Sequence, residues 1–456
     1  MIQRTLKQVS SMISIQNDIS AFESVSIQGV SIDSRKIEEG HLFVPFNGEK
    51  VDGHQFVQKA IEDGASASLW EKSAGEPPTG LPILVVESSL AALQQLARSY
   101  REELNIKVVG ITGSNGKTTT KDITTSLLSL QYKVQKTEGN YNSHIGLPLT
   151  ILHLEEDTEV AVLEMGMSGR GEIEELTHIA TPDAAIITNI GESHLQDLGS
   201  REGITEAKLE IVAGLKDQGL LVYLGDEPLL TDRVPGAIRV ETFGKGKQNT
   251  MFPTMLKAEG LGTYFQTNVT NEITFFLPLL GHHNVMNAVA GMLVARELGV
   301  PLSQAQPALD TVKLTGMRLE TLEGVHGTTL INDAYNASPT STSAAISLLA
   351  SLNGYNKKIL VLGDMLELGE EEEAFHYEIG KKIPFDEVNY VFTYGKLAEK
   401  IAEGAKENAS AEKVFAFQDK DKLTEKLLSL IEVNDVILAK ASRGMKLEDV
   451  VDKVKK

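Results

Sequence analysis

Cysteine is absent from the 456-residue chain, which removes disulfides, thiolate zinc sites and a cysteine nucleophile from consideration. No run of about 18 apolar residues occurs, so nothing in the sequence reads as a membrane-spanning helix, and no membrane insertion is expected. The opening stretch MIQRTLKQVSSMISIQ lacks an apolar core of signal-peptide length; a soluble cytoplasmic protein is the expectation. Positive charge is scarce too: 43 lysines and arginines stand against 63 aspartates and glutamates, for a net charge of −20. A surface that neutralises several nucleic-acid phosphates needs a basic stripe, so nucleic-acid binding is disfavoured and an anionic ligand must find a local positive pocket. Internal repeats with periods of about 20 to 50 residues are also missing. What remains is ordinary globular composition, 41% hydrophobic and 23% charged, at a length that suggests three domains of about 150 residues.

One stretch organises the rest. Val108 to Thr120, VVGITGSNGKTTT, reads as an apolar strand, a glycine-rich turn and a helix start. Backbone N–H groups freed by such a turn, with the positive end of the helix dipole, cradle phosphate. Gly113, Asn115 and Gly116 would form that cradle. Lys117 would reach the β- and γ-phosphates, Thr118 would offer its hydroxyl to magnesium, and Thr119 would continue the loop helix. The usual G-x-x-x-x-G-K-[ST] pattern is broken at its first position, where Ile111 stands, which points to a variant phosphate loop.

Before this loop, alternating apolar positions at Val30 and Ile32 and at Leu42 and Val44 predict short strands. Phe56, Val57, Ala60 and Ile61 give a following helix its apolar stripe, and a further helix is expected over Leu90 to Leu104. After it, IKVVGIT, VAVLEMG, DAAIITNI and GLLVYLGD are strand-length apolar runs with helical patterns between most of them, the grammar of a mostly parallel sheet covered on both faces. From near Thr315, TTLINDAY, KKILVLGDM, NYVFTYGK and NDVILAKAS repeat that alternation, predicting a second, Rossmann-like unit. The run Glu370 to Glu373 at a helix start is better explained by the helix dipole and solvation than by metal binding. The fold class is therefore α/β: residues 1–104 as a small N-terminal domain, 105–314 as a central mostly parallel sheet, and 315–456 as a C-terminal Rossmann-like domain.

In such sheets ligands sit at the carboxyl ends of the strands. Glu164 follows VAVL, where a phosphate-loop protein keeps a magnesium-binding carboxylate. His194, after the next strand, is a structural histidine taken alone and a metal ligand beside the loop and Glu164. Lys208 shares a helix face with Ile204, Ile211, Val212 and Leu215. Burial would favour its neutral amine, which can take up carbon dioxide as a carbamate; the alternative is a packed stem whose ammonium reaches water. His283, Asn284 and Asn287 at a helix start would read a purine edge or cap the helix. Arg318, at the join of the second and third segments, could close over a γ-phosphate. Asp333, Tyr335 and Asn336 lie just past a strand end and suggest ligand contact.

In order along the chain, DSRKIEEGHLFVPFNGEKVDGHQF, GITGSNGKTTTK, EMGMSGRGEI, TNIGESHLQDLGSREGI, NDAYNASPTS, LGDMLELGE and SRGMKLE resemble the Mur ligase family of cell-wall amide ligases over essentially the whole length. That resemblance implies a three-domain, ATP-dependent amide ligase that activates a carboxylate as an acyl phosphate. Its motifs are most similar to the branch whose substrates are UDP-N-acetylmuramoyl tripeptide and D-alanyl-D-alanine. Carried over by resemblance, the 1–104 domain binds the UDP-linked substrate through Ser34 and Arg35, with Asn140 and Asn142 as further substrate contacts. Lys117, Lys208, His194 and Arg318 are the implied catalytic residues. Thr118 and Glu164 would hold one magnesium ion, and His194 with a carbamylated Lys208 a second. His283, Asn284 and Asn287 would lie near adenine, and Arg318, Asp333, Tyr335 and Asn336 would reach ATP from across a cleft. A monomer is expected. The chain departs from the family pattern at Ser143 and Ala441, where asparagine and glycine are usual. A sister ligase acting earlier, a folylpolyglutamate synthase and a nucleotide switch are the competing readings. The Asp-Asn-Pro-Arg motif expected of the ligase that adds the third peptide residue and the Asn-Lys-x-Asp motif of a GTPase are both absent.

Overall fold

The computed structural model describes residues 1–48, 51–270 and 272–456, so Glu49 and Lys50 of the first family-like motif lie outside the described residues. The chain opens with an antiparallel pair, Gln3–Thr5 (β1) and Ser26–Gln28 (β2). A four-stranded parallel sheet follows: Val30–Ser31 (β3), Leu42–Phe43 (β4), Ala67–Glu71 (β5) and Ile83–Val86 (β6). The helix expected over Leu90 to Leu104 runs over Ser89–Glu103, because Ser88 caps it by accepting from the Ala91 N–H and Leu104 has already turned extended. It buries Leu93, Leu96, Ala97 and Tyr100. From the same helix the buried Arg101 donates to the carbonyls of Ala180 and Thr181, tying this region to the next.

The central sheet contains Lys107–Thr112 (β7), Val134–Lys136 (β8), Val160–Glu164 (β9), Ala184–Ile187 (β10), Leu220–Leu224 (β11) and Arg239–Phe243 (β12). They pair in parallel in the order β12-β11-β10-β7-β9-β8. Its inner strands β7, β9, β10 and β11 are apolar runs because both faces are covered, whereas the edge strands β8 and β12 carry polar residues. Val108, Ala161, Leu163, Ala185 and Ile187 face a core that continues into the N-terminal region. Their neighbours Val109, Ile111, Val160, Val162 and Ile186 face the other way, against Ala288, Met292 and Ala295 of helix His282–Glu297. The strand order reverses beside β7, which puts the crevice of an open α/β sheet at the end of that strand, where the phosphate loop begins.

A three-stranded antiparallel meander, Pro253–Glu259 (β13), Gly262–Thr267 (β14) and Phe275–Leu277 (β15), adds to the expected strand-helix units. The last sheet comprises Glu320–Glu323 (β16), Thr329–Asp333 (β17), Lys358–Gly363 (β18), Tyr390–Tyr394 (β19), Val414–Phe417 (β20) and Val436–Lys440 (β21), in the order β16-β17-β21-β18-β19-β20. All of its pairs are parallel except the edge strand β16. This region has its own cores on its two faces, to which only Leu280 comes from the earlier part of the chain among the buried residues. Apart from Leu280, polar contacts join it to the central region, the kind that can open and close. One of them anchors the connecting segment: buried Asp122, held by Lys136 at 2.7 Å, accepts from the N–H and hydroxyl of Thr315. Among the described residues no helix is long and apolar enough to cross a membrane.

Candidate active site

The loop after β7 is shaped by two glycines. Gly113 has φ +142° and a Cβ there would collide with Oγ1 of Thr188 and stand 3.0 Å from its backbone nitrogen; Gly116 has φ +80° and a Cβ would meet Oδ1 of Asn287 at 2.8 Å. The next strand end holds the loop in place. The Ser114 N–H donates to the Asn189 carbonyl, the Asn115 N–H to Asn189 Oδ1 at 2.9 Å, and the Thr188 hydroxyl to the Asn115 carbonyl at 2.6 Å. Gly113→Ala therefore combines a disfavoured backbone with an overlap. It is expected to destabilise the protein by about 2–4 kcal/mol, read as a lower midpoint in urea unfolding; an unchanged midpoint would contradict the tight Gly113–Thr188 approach.

Helix Lys117–Leu128 starts directly after Gly116, and no side chain caps its first turn. Its N–H groups are thus available to an anion. The Lys117 ammonium folds over the loop onto the Gly113 carbonyl at 2.7 Å. Burial lowers its pKa, Glu164 opposes that shift and Arg318 adds to it. Thr118, buried behind the loop, donates its hydroxyl to Glu164 Oε2 at 2.7 Å, while Asn142 donates to Oε1 at 2.9 Å. β9 thus ends in a buried carboxylate held between the loop helix and Asn142.

A cavity of about 860 Å³ opens here, walled on one side by the central sheet and on the other by the third region. The structure brings to it Asn115, Gly116, Lys117, Thr119, Asn142, Glu164, His194, His283, Asn284, Asn287, Arg318, Asp333, Tyr335 and Asn336. Gly113 and Thr118 lie immediately behind. Ser34 and Arg35 stand apart, on a 3-10 turn where Arg35 pairs with Asp33 at 2.8 Å, and Asn140 lies outside the lining in an exposed turn. Asn284 and Asn287 do not cap their helix: Gly281 occupies the cap position, Asn284 donates to the Leu280 carbonyl, and Asn287 donates to Asn284 Oδ1. Both departures from the family pattern are accommodated. Ser143 lines the cavity, and Ala441 is fully buried at the end of β21.

On the opposite wall the Arg318 guanidinium lies 4.0 Å above the Tyr335 ring, a cation–π contact that fixes its plane. Its Nε is buried and meets no protein acceptor among the described residues, as suits a group aimed at an anion. Asp333 accepts from Lys440 Nζ at 2.6 Å, and Lys440 also donates to the Asn336 carbonyl, so the end of β21 braces the end of β17.

Lys208, on helix Arg201–Leu209, is 1% exposed, so the alternative in which its ammonium reaches water is not adopted. Burial, and secondarily Lys117, hold its pKa well below the ordinary lysine value, with Glu210 and Glu172 opposing. Those two carboxylates are committed to backbone: Glu210 accepts from Gly171 and Glu174, and Glu172 from Ser168 and Gly169. The described residues contain no group of three or more His, Asp and Glu side chains able to hold a metal by themselves. The Thr118–Glu164 pair nevertheless fits magnesium, which takes one or two protein ligands and completes its octahedron with phosphate oxygens and water.

Several polar residues at the site were not singled out from the sequence as contacts. Thr188 and Asn189 hold the loop, Lys440 braces Asp333, and Glu192 and Glu367 join the two walls. Thr188, Asn189 and Glu192 follow β10, and Lys440 ends β21, so position after an apolar strand was the available signal.

Family models match the chain in three blocks: "Mur ligase family, catalytic domain" over residues 26–101, "Mur ligase middle domain" over 111–295 and "Mur ligase, glutamate ligase domain" over 317–443. The UDP-N-acetylmuramoyl-tripeptide--D-alanyl-D-alanine ligase of Bacillus subtilis is 51% identical over 451 residues, 99% of this chain and 98% of the relative. The enzyme of the same name from Escherichia coli is 33% identical over 459 residues, with the same shares. Among solved structures, MurF from Acinetobacter baumannii superimposes with a TM-score of 0.88 at 30% identity, covering 99% of this chain and 98% of its own. MurF ligase from Thermotoga maritima in complex with ADP gives 0.84 at 33% identity, covering 93% and 96%.

Proposed function

The chain belongs to the Mur ligase family, with its three-domain α/β fold and ATP-dependent ligase chemistry, and we propose that it joins D-alanyl-D-alanine to UDP-N-acetylmuramoyl tripeptide in peptidoglycan precursor synthesis. One observation carries the reading: a single cavity has Lys117 and Glu164, bonded from behind by Thr118, on one wall and Arg318, Asp333 and Tyr335 on the other. That arrangement suits transfer of a phosphoryl group between two anions, which requires positive charge on both sides and alignment by closure.

The terminal carboxylate of the tripeptide attacks the γ-phosphorus, the bond to the β-phosphate oxygen breaks, and ADP leaves. The amine of D-alanyl-D-alanine then attacks the acyl carbon; inorganic phosphate departs, the amine proton goes to solvent, and an amide remains. Gly113, Asn115, Gly116 and Thr119 would cradle the nucleotide phosphates, and Lys117 would bind the γ-phosphate as it transfers. Arg318, held flat by Tyr335, would offset charge on the transferring group from the other wall. His283, Asn284 and Asn287 would contact adenine, Asp333 and Asn336 the rest of ATP, and Ser34, Arg35, Asn140 and Asn142 the UDP-linked substrate. Thr118 and Glu164 would hold one magnesium ion and His194 with carbamylated Lys208 a second; bound there, the ions supply neutralising charge between the reacting anions. We take residues 1–104, 105–314 and 315–456 as the UDP-substrate, ATP-binding and ligase domains, in a monomer working in the cytoplasm, where ATP and nucleotide-linked substrates are found.

Phosphate release from ATP is expected only when UDP-N-acetylmuramoyl tripeptide and D-alanyl-D-alanine are both present, with a new amide of matching mass. Tripeptides ending in lysine and in diaminopimelate, run in parallel, would identify the preferred third residue. Equal release with neither substrate would sink the ligase reading in favour of a hydrolytic switch.

A further inference from the structure

The two walls of the cavity meet through a compact set of contacts on the segment after β10. Glu192 accepts from the N–H and hydroxyl of Thr340 at the start of helix Pro339–Ser351, at 3.2 and 2.9 Å. The Gln196 N–H donates to the Glu367 carbonyl at 3.2 Å, and Gly369 packs against the Gln196 backbone. Between these contacts, Nδ1 of His194 stands 2.9 Å from Oε2 of Glu367, a close contact without the alignment of a full hydrogen bond. Both residues have a left-handed backbone unusual for side-chain-bearing residues, φ +64° at His194 and +65° at Glu367. Such conformations persist where the surroundings dictate them.

His194 lines the cavity; Glu367, on the loop after β18, does not. A carboxylate at Nδ1 favours the tautomer protonated there. It leaves the lone pair on Nε2, across the ring, and limits rotation of the imidazole, which is how outer carboxylates prepare metal-binding histidines. Here the carboxylate comes from the other wall, so this orientation exists only while the third region is docked. We propose that Glu367 is a positioning residue that prepares His194 for the second cation and so couples occupancy of that site to domain closure, an inference that rests on the reading of His194 as a metal ligand.

The test is Mn²⁺ titration of the full chain with a non-hydrolysable ATP analogue and UDP-N-acetylmuramoyl tripeptide, free Mn²⁺ being counted by electron paramagnetic resonance. Glu367→Ala is expected to weaken one of the two sites about 10- to 100-fold and leave the other within about twofold. Glu367→Gln, which keeps an acceptor oxygen, should recover most of that loss. Glu192→Gln, which loosens the same docking face without touching His194, should weaken the same site in the same direction and by less than Glu367→Ala does. Wild-type binding at both sites in Glu367→Ala, or an equal loss at both sites in it, overturns the inference. His194→Ala should lose the same site as Glu367→Ala. If it loses that site while Glu367→Ala keeps both, only the coupling fails; if His194→Ala keeps both, the metal-ligand reading fails.

Discussion

Lys117→Met is expected to lower kcat/KM for ATP-dependent ligation by about 10³-fold while leaving thermal stability at or slightly above that of the wild type. The activity term follows from geometry. The ammonium sits on the Gly113 carbonyl at the mouth of the loop helix, close enough to Glu164 and Arg318 to feel both charges, and lines the cavity. A preorganised donor contributes about 10²–10³ in rate, and a positive charge that, as proposed, would face the transferring phosphoryl group lies at the upper end of that range. The stability term has the opposite sign because methionine keeps most of the stem and removes a charge whose burial is unfavourable, as its lowered pKa records. Steady-state phosphate release and a melting curve on one preparation separate the two effects. A fall in kcat and kcat/KM together marks an interaction made in the transition state, whereas a rise in KM at constant kcat would reduce Lys117 to ground-state nucleotide binding and defeat this account.

Much of the architecture was legible because parallel sheets advertise themselves. β7, β9, β10 and β11 are apolar runs covered on both faces, and the glycine positions of the phosphate loop coincide with the places where a Cβ would collide with Thr188 or Asn287. The elements that escaped detection lack that signature. β13 in the meander is half-exposed or exposed along its length, β16 is a four-residue edge strand alternating between the two, and β20 is equally short. β13 and β16 hold too few apolar residues for a run, and β20, all apolar in VFAF, is too short for a period, so pairing with a neighbour is what makes them strands. The site divides in the same way. Residues that end or follow a strong strand, such as Glu164, Asp333 and His194, were visible from position. The partner of His194 was not, because Glu367 stands in an irregular loop of another domain and nothing local in LGDMLELGE names what it faces.

Lys208 joins these two classes, since its helical period indicated burial but left open whether the ammonium escapes to water. The structure closes the escape: with 1% of the residue exposed and Glu172 and Glu210 occupied by backbone N–H groups, a protonated amine would lie in a costly setting beside another cation, Lys117. Burial moves the amine toward its neutral form, whose nitrogen can bond to the carbon of carbon dioxide, releasing one proton to solvent and leaving an anionic carbamate. With the carbamate proposed for Lys208, this point becomes negative, which would favour a cation there. Lys208→Ala would remove the proposed anion and is expected to lower turnover by at least about 10²-fold. Acetate at millimolar concentration, filling the vacated volume with a carboxylate, should restore part of the activity. Bicarbonate depletion should slow the wild type and leave the alanine variant unchanged, and labelling with ¹³C-bicarbonate should give a carbamate resonance in the wild type alone. Full activity in Lys208→Ala would return the residue to a packing role, and a deep loss that neither acetate nor bicarbonate touches would mean that the amine itself, rather than a carbamate, is what the site uses.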